Sequence, residues 1–415
     1  MNVKIYSLGC RLNQYEIESV STEIKNLGHQ IVDDDIQADL FIVNSCVVTS
    51  KSEAKTRNLI SRSTKNKTAK TIVTGCFAKA VEKKKDVLYL SNDFKYLIPK
   101  AIENWDNLDF LFEEEPSRFK YTPPVDSSTT RVNLKIQDGC DHFCSYCIIP
   151  LVRGRPVSKP LEDCLSEFEA LLKAGYKEIV LSGITIGKYL SEGENLGGLI
   201  EKLLLIKGDF RIHVSSIDPD LVDEDFISLF SNPKMVAHLH LSLQSGSNPV
   251  LKNMNRRYTK EDFLALVSQI RTINPFFNLT TDLIIGFPGE TDQDFQESLE
   301  IIEKAGFSHV HSFRYSPRPL TKAYSMKGNI PEAVKKKRSL AVIEKAMAEK
   351  NKFYRKFEGR EEVLLCEKTT DTYSFGHTSS YLPVTIAKPL VVNQFYKIIC
   401  RWNEEKKQLT GELVH

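Results

Sequence analysis

The chain has 415 residues, too many for one ordinary core and enough for two or three domains of roughly 100–200 residues each. Hydrophobic residues make up 41% and charged residues 27%, with 20 Gly and 17 Pro, which excludes a disordered, collagen-like or membrane-embedded chain. Fifty-six Lys and Arg against 54 Asp and Glu leave a net charge of +2, so the average announces no nucleic-acid partner, while nine cysteines are an odd number for a disulfide framework.

The opening MNVKIYSLGC lacks a basic start, a long apolar run and a small-residue cleavage site, and no later stretch holds 18 uninterrupted apolar residues. A cytoplasmic protein without a membrane partner is expected. Thiols stay reduced there, so the cysteines point to metal, catalysis or burial.

Residues 1–113 repeat one pattern three times. VKIYSLGC, DLFIVNSC and TIVTGC are short β-prone runs ending in Cys10, Cys46 and Cys76, separated by the helical segments NQYEIESVSTEIKNLG and SEAKTRNLISRSTKN, the second with Ser52 as N-cap. This reads as β-α-β-α-β, a small doubly wound parallel α/β domain. Ligands of such sheets lie beyond the carboxyl ends of the strands, so three cysteines there can converge on one site. Taken singly, each is more often a small buried residue.

Residues 114–130 lose the pattern and gather Pro, Ser, Thr and charge, as a linker does. β-prone runs recur at 131–137, 178–183, 211–217, 236–244, 279–287 and 309–315, with helical patterns between them, such as LEDCLSEFEALLKAG ended by Gly175 and KEDFLALVSQIRTI after Thr259. Six β/α units over 131–330 predict a partial or full parallel barrel whose active face lies at the C-terminal strand ends. In VAHLHLSLQ the period of two sets His238, His240, Ser242 and Gln244 on one face, suited to a polar cofactor or to a self-satisfying polar network. Residues 331–358 read as one long basic helix and 359–415 as a small all-β module.

The strongest chemical signal is DGCDHFCSYCIIP. Cys140, Cys144 and Cys147 in a CxxxCxxC run after a strand suit a [4Fe-4S] cluster, three thiolates binding three irons and leaving the fourth open. Zinc is the alternative, but closed zinc sites take four ligands, usually as CxxC pairs, and His142 lies inside the loop.

On these residues the chain resembles the radical S-adenosylmethionine (SAM) superfamily. SLGCRLNQYE, VNSCVVTSKSEAKTR, TGCFAK, QDGCDHFCSYCIIPLVRGRPVS, HLSLQSGSNPVLKNMNRRY, TTDLIIGFPGET and HSFRYSPRPLTKA, in that order over nearly the whole chain, narrow it to the methylthiotransferases. The resemblance implies that the open iron takes the amino and carboxylate groups of SAM, whose reductive cleavage gives a deoxyadenosyl radical. It also implies a second [4Fe-4S] cluster on Cys10, Cys46 and Cys76 that carries the sulfur to be inserted, with a methyl group supplied by another SAM. Cys164, Cys366 and Cys400 are left as core. LIIGFPGE, with Ile285 and Gly286, resembles the strand that contacts adenine, and SGITIGKY, with Gly183, the segment near the methionine amine. Thr185 stands in that segment where many relatives have His. Ser242 and Gln244 are expected to face the cofactor, and Arg257 is expected to neutralise its carboxylate, the alternative being the start of a solvated helix.

Residues 359–415 resemble the RNA-binding TRAM module. Residues 335–360 carry ten Lys or Arg against three Glu, and 51–70 carry seven against one, as RNA-facing or merely solvated helix faces. The implied partner is a tRNA anticodon stem-loop, held by shape and backbone, with Tyr373, Phe375, His377 and Tyr381 as contacts or as packing. An electron donor such as flavodoxin or ferredoxin and a sulfur donor are implied too.

The family divides by substrate into tRNA with isopentenyladenosine, tRNA with threonylcarbamoyladenosine, and a ribosomal-protein aspartate. LGCRLNQYE and RGRPVS resemble the threonylcarbamoyl group. Arg155 is expected to bind its carboxylate through paired hydrogen bonds, the alternative being an ordinary exposed arginine.

Overall fold

The computed structural model describes residues 1–79, 83–124 and 129–414, so residues 125–128 of the expected linker and the last residue of the expected C-terminal module lie outside it. Five parallel strands, β1 (Asn2–Ser7), β2 (Gln30–Ile31), β3 (Leu40–Ser45), β4 (Lys70–Gly75) and β5 (Leu88–Leu90), form the first sheet in the order β2-β1-β3-β4-β5. β3 is buried along its whole length because both sheet faces are covered. The chain winds to one edge through β2 and returns to build the other half from β3. The carboxyl ends of β1, β3 and β4 therefore lie side by side, with Ser7 paired to Asn44 and Ser45 to Gly75.

Helix α1 (Arg11–Asn26) follows β1, and α2 (Ser50–Ser63) follows β3. The N-cap of α2 is Thr49 rather than Ser52. Its side chain accepts from the Ser52 N–H, because the helix starts one turn earlier than the apolar pattern suggests.

Six parallel β/α units come next: β6 (Arg131–Lys135), β7 (Glu178–Ser182), β8 (Arg211–Val214) continuing as β9 (Ser216–Ile217), β10 (His238–Leu241), β11 (Asn278–Ile285) and β12 (His309–Arg314). β6, β7 and β8 pair in sequence, as do β9 to β12, and a parallel bridge from Ile212 to Met235 ties the two runs together. The result is a curved, open α/β barrel with one large apolar core. Cys164 is fully buried in that core.

Helix α3 (Glu332–Arg355) lies along β12, the edge of the open barrel, where Ser339 Oγ and Ser312 Oγ are 2.9 Å apart. Its basic residues are not all solvated. Lys335 and Arg338 are buried, with Lys335 Nζ donating to the Tyr315 carbonyl at 3.3 Å and Arg338 paired with Glu290 at 3.0 Å and Asp292 at 2.7 Å. The end of α3 inserts Phe353 and Tyr354, followed by Phe357, into the core of a closed five-stranded barrel. That barrel runs β13 (Glu361–Thr369), β14 (Ser374–Thr378), β15 (Pro383–Ile386), β17 (Gln408–Leu413) and β16 (Phe395–Asn403). Cys400 belongs to its core, and Cys366 is fully buried as well. No described helix is long and apolar enough to cross a membrane.

Candidate active site

Cys10, Cys46 and Cys76 stand at the ends of β1, β3 and β4 and open into one cavity of about 700 Å³. Ser182 and Gly183 at the end of β7, Ser215 and Ser216 at the junction of β8 and β9, and the inward-facing His238, His240, Asp282, His309 and His311 also line it. Burial pushes the Cys46 thiol up, so an apolar wall by itself holds it neutral. Asn92 Nδ2 lies 3.7 Å from Cys76 Sγ.

A buried ion network joins the first sheet to the barrel directly behind these thiols. Glu16 meets Lys95 and Lys135 at 2.5 Å each, and Arg153 at 3.0 Å. Arg153 also reaches Asp138 at 2.8 Å and donates to Asn13 Oδ1 at 2.7 Å. Burial alone would raise the Glu16 carboxyl, but Arg153, Lys135 and Lys95 hold it well below the usual carboxylate range. Three cations face two carboxylates, and Arg153 lines the cavity beside Cys10 and Cys76. The surplus positive charge thus lies where thiolates would benefit from it. A second clasp fixes the loop after Cys46, where Arg318 from the barrel pairs with Glu53 at 2.7 Å and donates to the Val47 carbonyl at 3.2 Å.

Cys140, Cys144 and Cys147 lie on the loop beyond β6, at the C-terminal face of the barrel. The His142 N–H points at Cys140 Sγ from 3.4 Å, and Arg256 Nη1 lies 3.3 Å from Cys144 Sγ. Asn255 Nδ2 pins the loop by donating to the carbonyls of His142 and Phe143, each at 3.1 Å. Burial pushes the Cys147 thiol up to about 12 and raises Cys140, beside which the buried Thr185 sits. Gly139, at φ +79, precedes the first ligand-type cysteine; a Cβ there would fall 2.1 Å from the Arg155 carbonyl, so the tight approach requires glycine.

The floor of the cavity comes from the C-terminal barrel. Tyr381, itself at φ 57, contacts His213 and stacks with His377 at 4.7 Å between ring centroids, and its hydroxyl accepts from Arg131 Nη1 at 2.5 Å. The contacts that seat this floor, Asn278 Nδ2 to the Ser380 carbonyl and the Ala237 N–H to the Ser379 carbonyl, both at 2.8 Å, lie at the N-terminal ends of the barrel strands. His213 is pushed down to about 4 by burial, against the opposing pull of Glu178. His238 is lowered well below its ordinary value for the same reason.

Other residues expected from sequence are dispersed. Gly183, His238 and His240 line the cavity, whereas Ser242 and Gln244 do not. Strand β10 ends at Leu241, and Gln244 takes a left-handed backbone at φ 73, so the period of two stops there. The Ser242 carbonyl accepts from Arg256 Nη2 at 3.2 Å, making Arg256 the basic residue tied to the cysteine loop, while Arg257 is exposed. Ile285 is buried, and Gly286, at φ +75, packs against Lys335. Arg155 is exposed and outside the cavity lining. Tyr373 is exposed and Phe375 half-buried, while His377 and Tyr381 belong to the cavity floor. Sequence reasoning missed Arg11 and Arg153 as cavity residues; the position of Arg11 directly after Cys10 was the available signal.

Among the described residues, His240, Asp282 and His311, and separately His142, Asp218 and Asp220, bring three donor atoms within 4.8 Å of one another.

A family model described as the radical SAM superfamily matches residues 134–302, and one described as uncharacterized protein family UPF0004 matches residues 2–94. The chain is 41% identical over 375 residues to the threonylcarbamoyladenosine tRNA methylthiotransferase MtaB of Thermotoga maritima, covering 88% of this chain and 86% of that one. It is 38% identical to the protein of the same name from Chlamydia pneumoniae over 99% and 98% of the two chains. A tRNA-2-methylthio-N(6)-dimethylallyladenosine synthase from Fusobacterium nucleatum is 35% identical over 99% of each. Among solved structures, the radical SAM methyltransferase TsrM from Kitasatospora setae superposes with a TM-score of 0.54 at 15% identity, over 78% of this chain and 74% of that one, a likeness of fold.

Proposed function

The chain belongs to the radical SAM tRNA methylthiotransferase family, whose enzymes use SAM and a [4Fe-4S] cluster, and on that footing we propose that it adds a methylthio group to carbon two of N-threonylcarbamoyladenosine beside the anticodon of tRNA. The observation that carries this reading is the single chamber into which Cys10, Cys46 and Cys76 and the polar barrel interior both open. Sulfur transfer and substrate activation need a common space.

In this reading Cys140, Cys144 and Cys147 hold the SAM-binding cluster, and Cys10, Cys46 and Cys76 hold a second one. The donors directed at sulfur, from the His142 amide and Arg256 at one site, and the buried cation Arg153 beside the other, suit anionic sulfur. When bound, the groups supply reductive cleavage of SAM and sulfur for transfer. The chain's own contribution is to orient and exclude. Asn255 and Arg256 fix the cysteine loop, Arg318 and Arg153 hold the first sheet on the barrel, and Tyr381 closes the floor against water.

A small electron-transfer protein such as flavodoxin or ferredoxin and a separate sulfur donor complete the cycle. The exposed Tyr373 and the basic faces of α2 and α3 are the surfaces offered to the stem-loop backbone. The test is anaerobic reconstitution followed by mass analysis of nucleosides from tRNA lacking the methylthio group. A methylthio gain on threonylcarbamoyladenosine is expected; a gain on isopentenyladenosine alone overturns the substrate, and no gain on either overturns the reaction.

A further inference from the structure

Two permanent cations line the cavity, Arg11 and Arg153. Arg153 is fully buried and committed to Glu16, Asp138 and Asn13. Arg11, the first residue of α1, is exposed to the cavity, and among the described residues neither a hydrogen bond nor an ion pair holds its guanidinium. The carboxylate in the lining is Asp282, which already faces His240 Nε2 at 3.3 Å.

The positive charge of Arg11 contributes to keeping His213 and His238 uncharged on the floor, which places its field across the barrel interior. The first turn of α1 carries no acidic residue, and Cys10 makes no side-chain cap, so the helix end adds to the positive potential. An uncommitted guanidinium facing a cavity is complementary to an anion with two oxygens in one plane.

Resting on the threonylcarbamoyladenosine reading, we propose that Arg11 is the residue that selects this nucleoside, by binding the carboxylate of its threonyl group in the chamber beside Cys10. Arg155 is exposed and lies outside the lining of this space. An uncharged alkyl-modified adenosine would leave Arg11 desolvated and unpaired, so the same residue rejects it.

The test compares binding of two anticodon stem-loops to the anaerobically reconstituted enzyme, one carrying threonylcarbamoyladenosine and one its methyl ester. Wild type is expected to favour the free acid by about 10- to 100-fold. Arg11→Gln should erase the preference and raise KM for the acid by the same factor, with Arg11→Lys restoring part of it and the iron content staying at the wild-type level. A preference that survives Arg11→Gln, or is instead erased by Arg155→Gln, overturns the assignment. Iron lost from Arg11→Gln also overturns it, because Arg11 would then serve the thiol site. Failure of the substrate reading is distinct: wild type itself would then leave threonylcarbamoyladenosine in tRNA without a methylthio group.

Discussion

The ring of Tyr381, in the C-terminal barrel, lies 4.2 Å from the ring of His213, on the third strand of the α/β barrel. Because His213 is buried and lines the chamber, this contact makes a residue of the last domain part of the active-site wall. Removing the C-terminal barrel would open the chamber from below.

Tyr381→Ala should therefore destabilise the whole chain rather than one module, by about 2–3 kcal/mol from lost packing. Tyr381→Phe keeps the ring and loses the hydrogen bond from Arg131, a cost of about 1 kcal/mol. Thermal denaturation of the three proteins checks the order, and equal midpoints would show that the floor contact contributes nothing.

Arg153→Met strips one cation from a fully buried network and leaves the Asp138 carboxylate with Lys135 as its one remaining cationic partner. A loss of about 3 kcal/mol or more in unfolding free energy is expected. The double variant with Glu16→Gln should lose less than the sum of the two singles, since they share one interaction. Additive losses from the urea curves would mean that the network does not couple the two domains.

Acid should weaken the fold before carboxylates titrate. His213 is held near 4 in the folded chain by burial, against an ordinary value of 6.5, so both states bind the same number of protons above that value. As pH falls from 6.5 towards 4, the unfolded chain takes up a proton that the folded chain refuses, and stability drops by roughly 3 kcal/mol. His238 acts in the same direction. Urea midpoints at pH 7.5 and pH 5 measure the fall, and His213→Gln should shrink it.

Replacing Cys10, Cys46 and Cys76 together with Ala should remove about half of the iron and leave SAM cleavage at the other site. Replacing Cys140, Cys144 and Cys147 should remove the other half and abolish cleavage. Iron assay and deoxyadenosine production separate the two. Full iron retention in the first variant would reduce those three cysteines to ordinary buried thiols.

Much of this was legible in the chain because it repeats. Three β-prone runs ending in cysteine predict three strand ends, and the winding that sets β1, β3 and β4 side by side turns them into one wall. The two- and three-residue edge strands at Gln30–Ile31 and Leu88–Leu90 are too short to carry a period. The polar face expected over 238–244 ends early because a backbone bridge from Gln244 to Leu283 replaces the ladder. Lys335 and Arg338 look like solvated charge in sequence, yet each finds a buried partner on the barrel. Arg11, Arg153 and Tyr381 acquire their places only when three domains dock, through contacts such as Arg131 to Tyr381 that span 250 residues and leave no local pattern.

A cavity of about 700 Å³ accepts a nucleoside but is far smaller than a duplex. A base that enters it must leave its neighbours. That extrusion costs a few kcal/mol and costs least in a single-stranded loop. The size of the pocket thus acts as a filter on RNA architecture, refusing adenosines locked in duplexes whatever their sequence and admitting those that a hairpin already leaves free to swing outward.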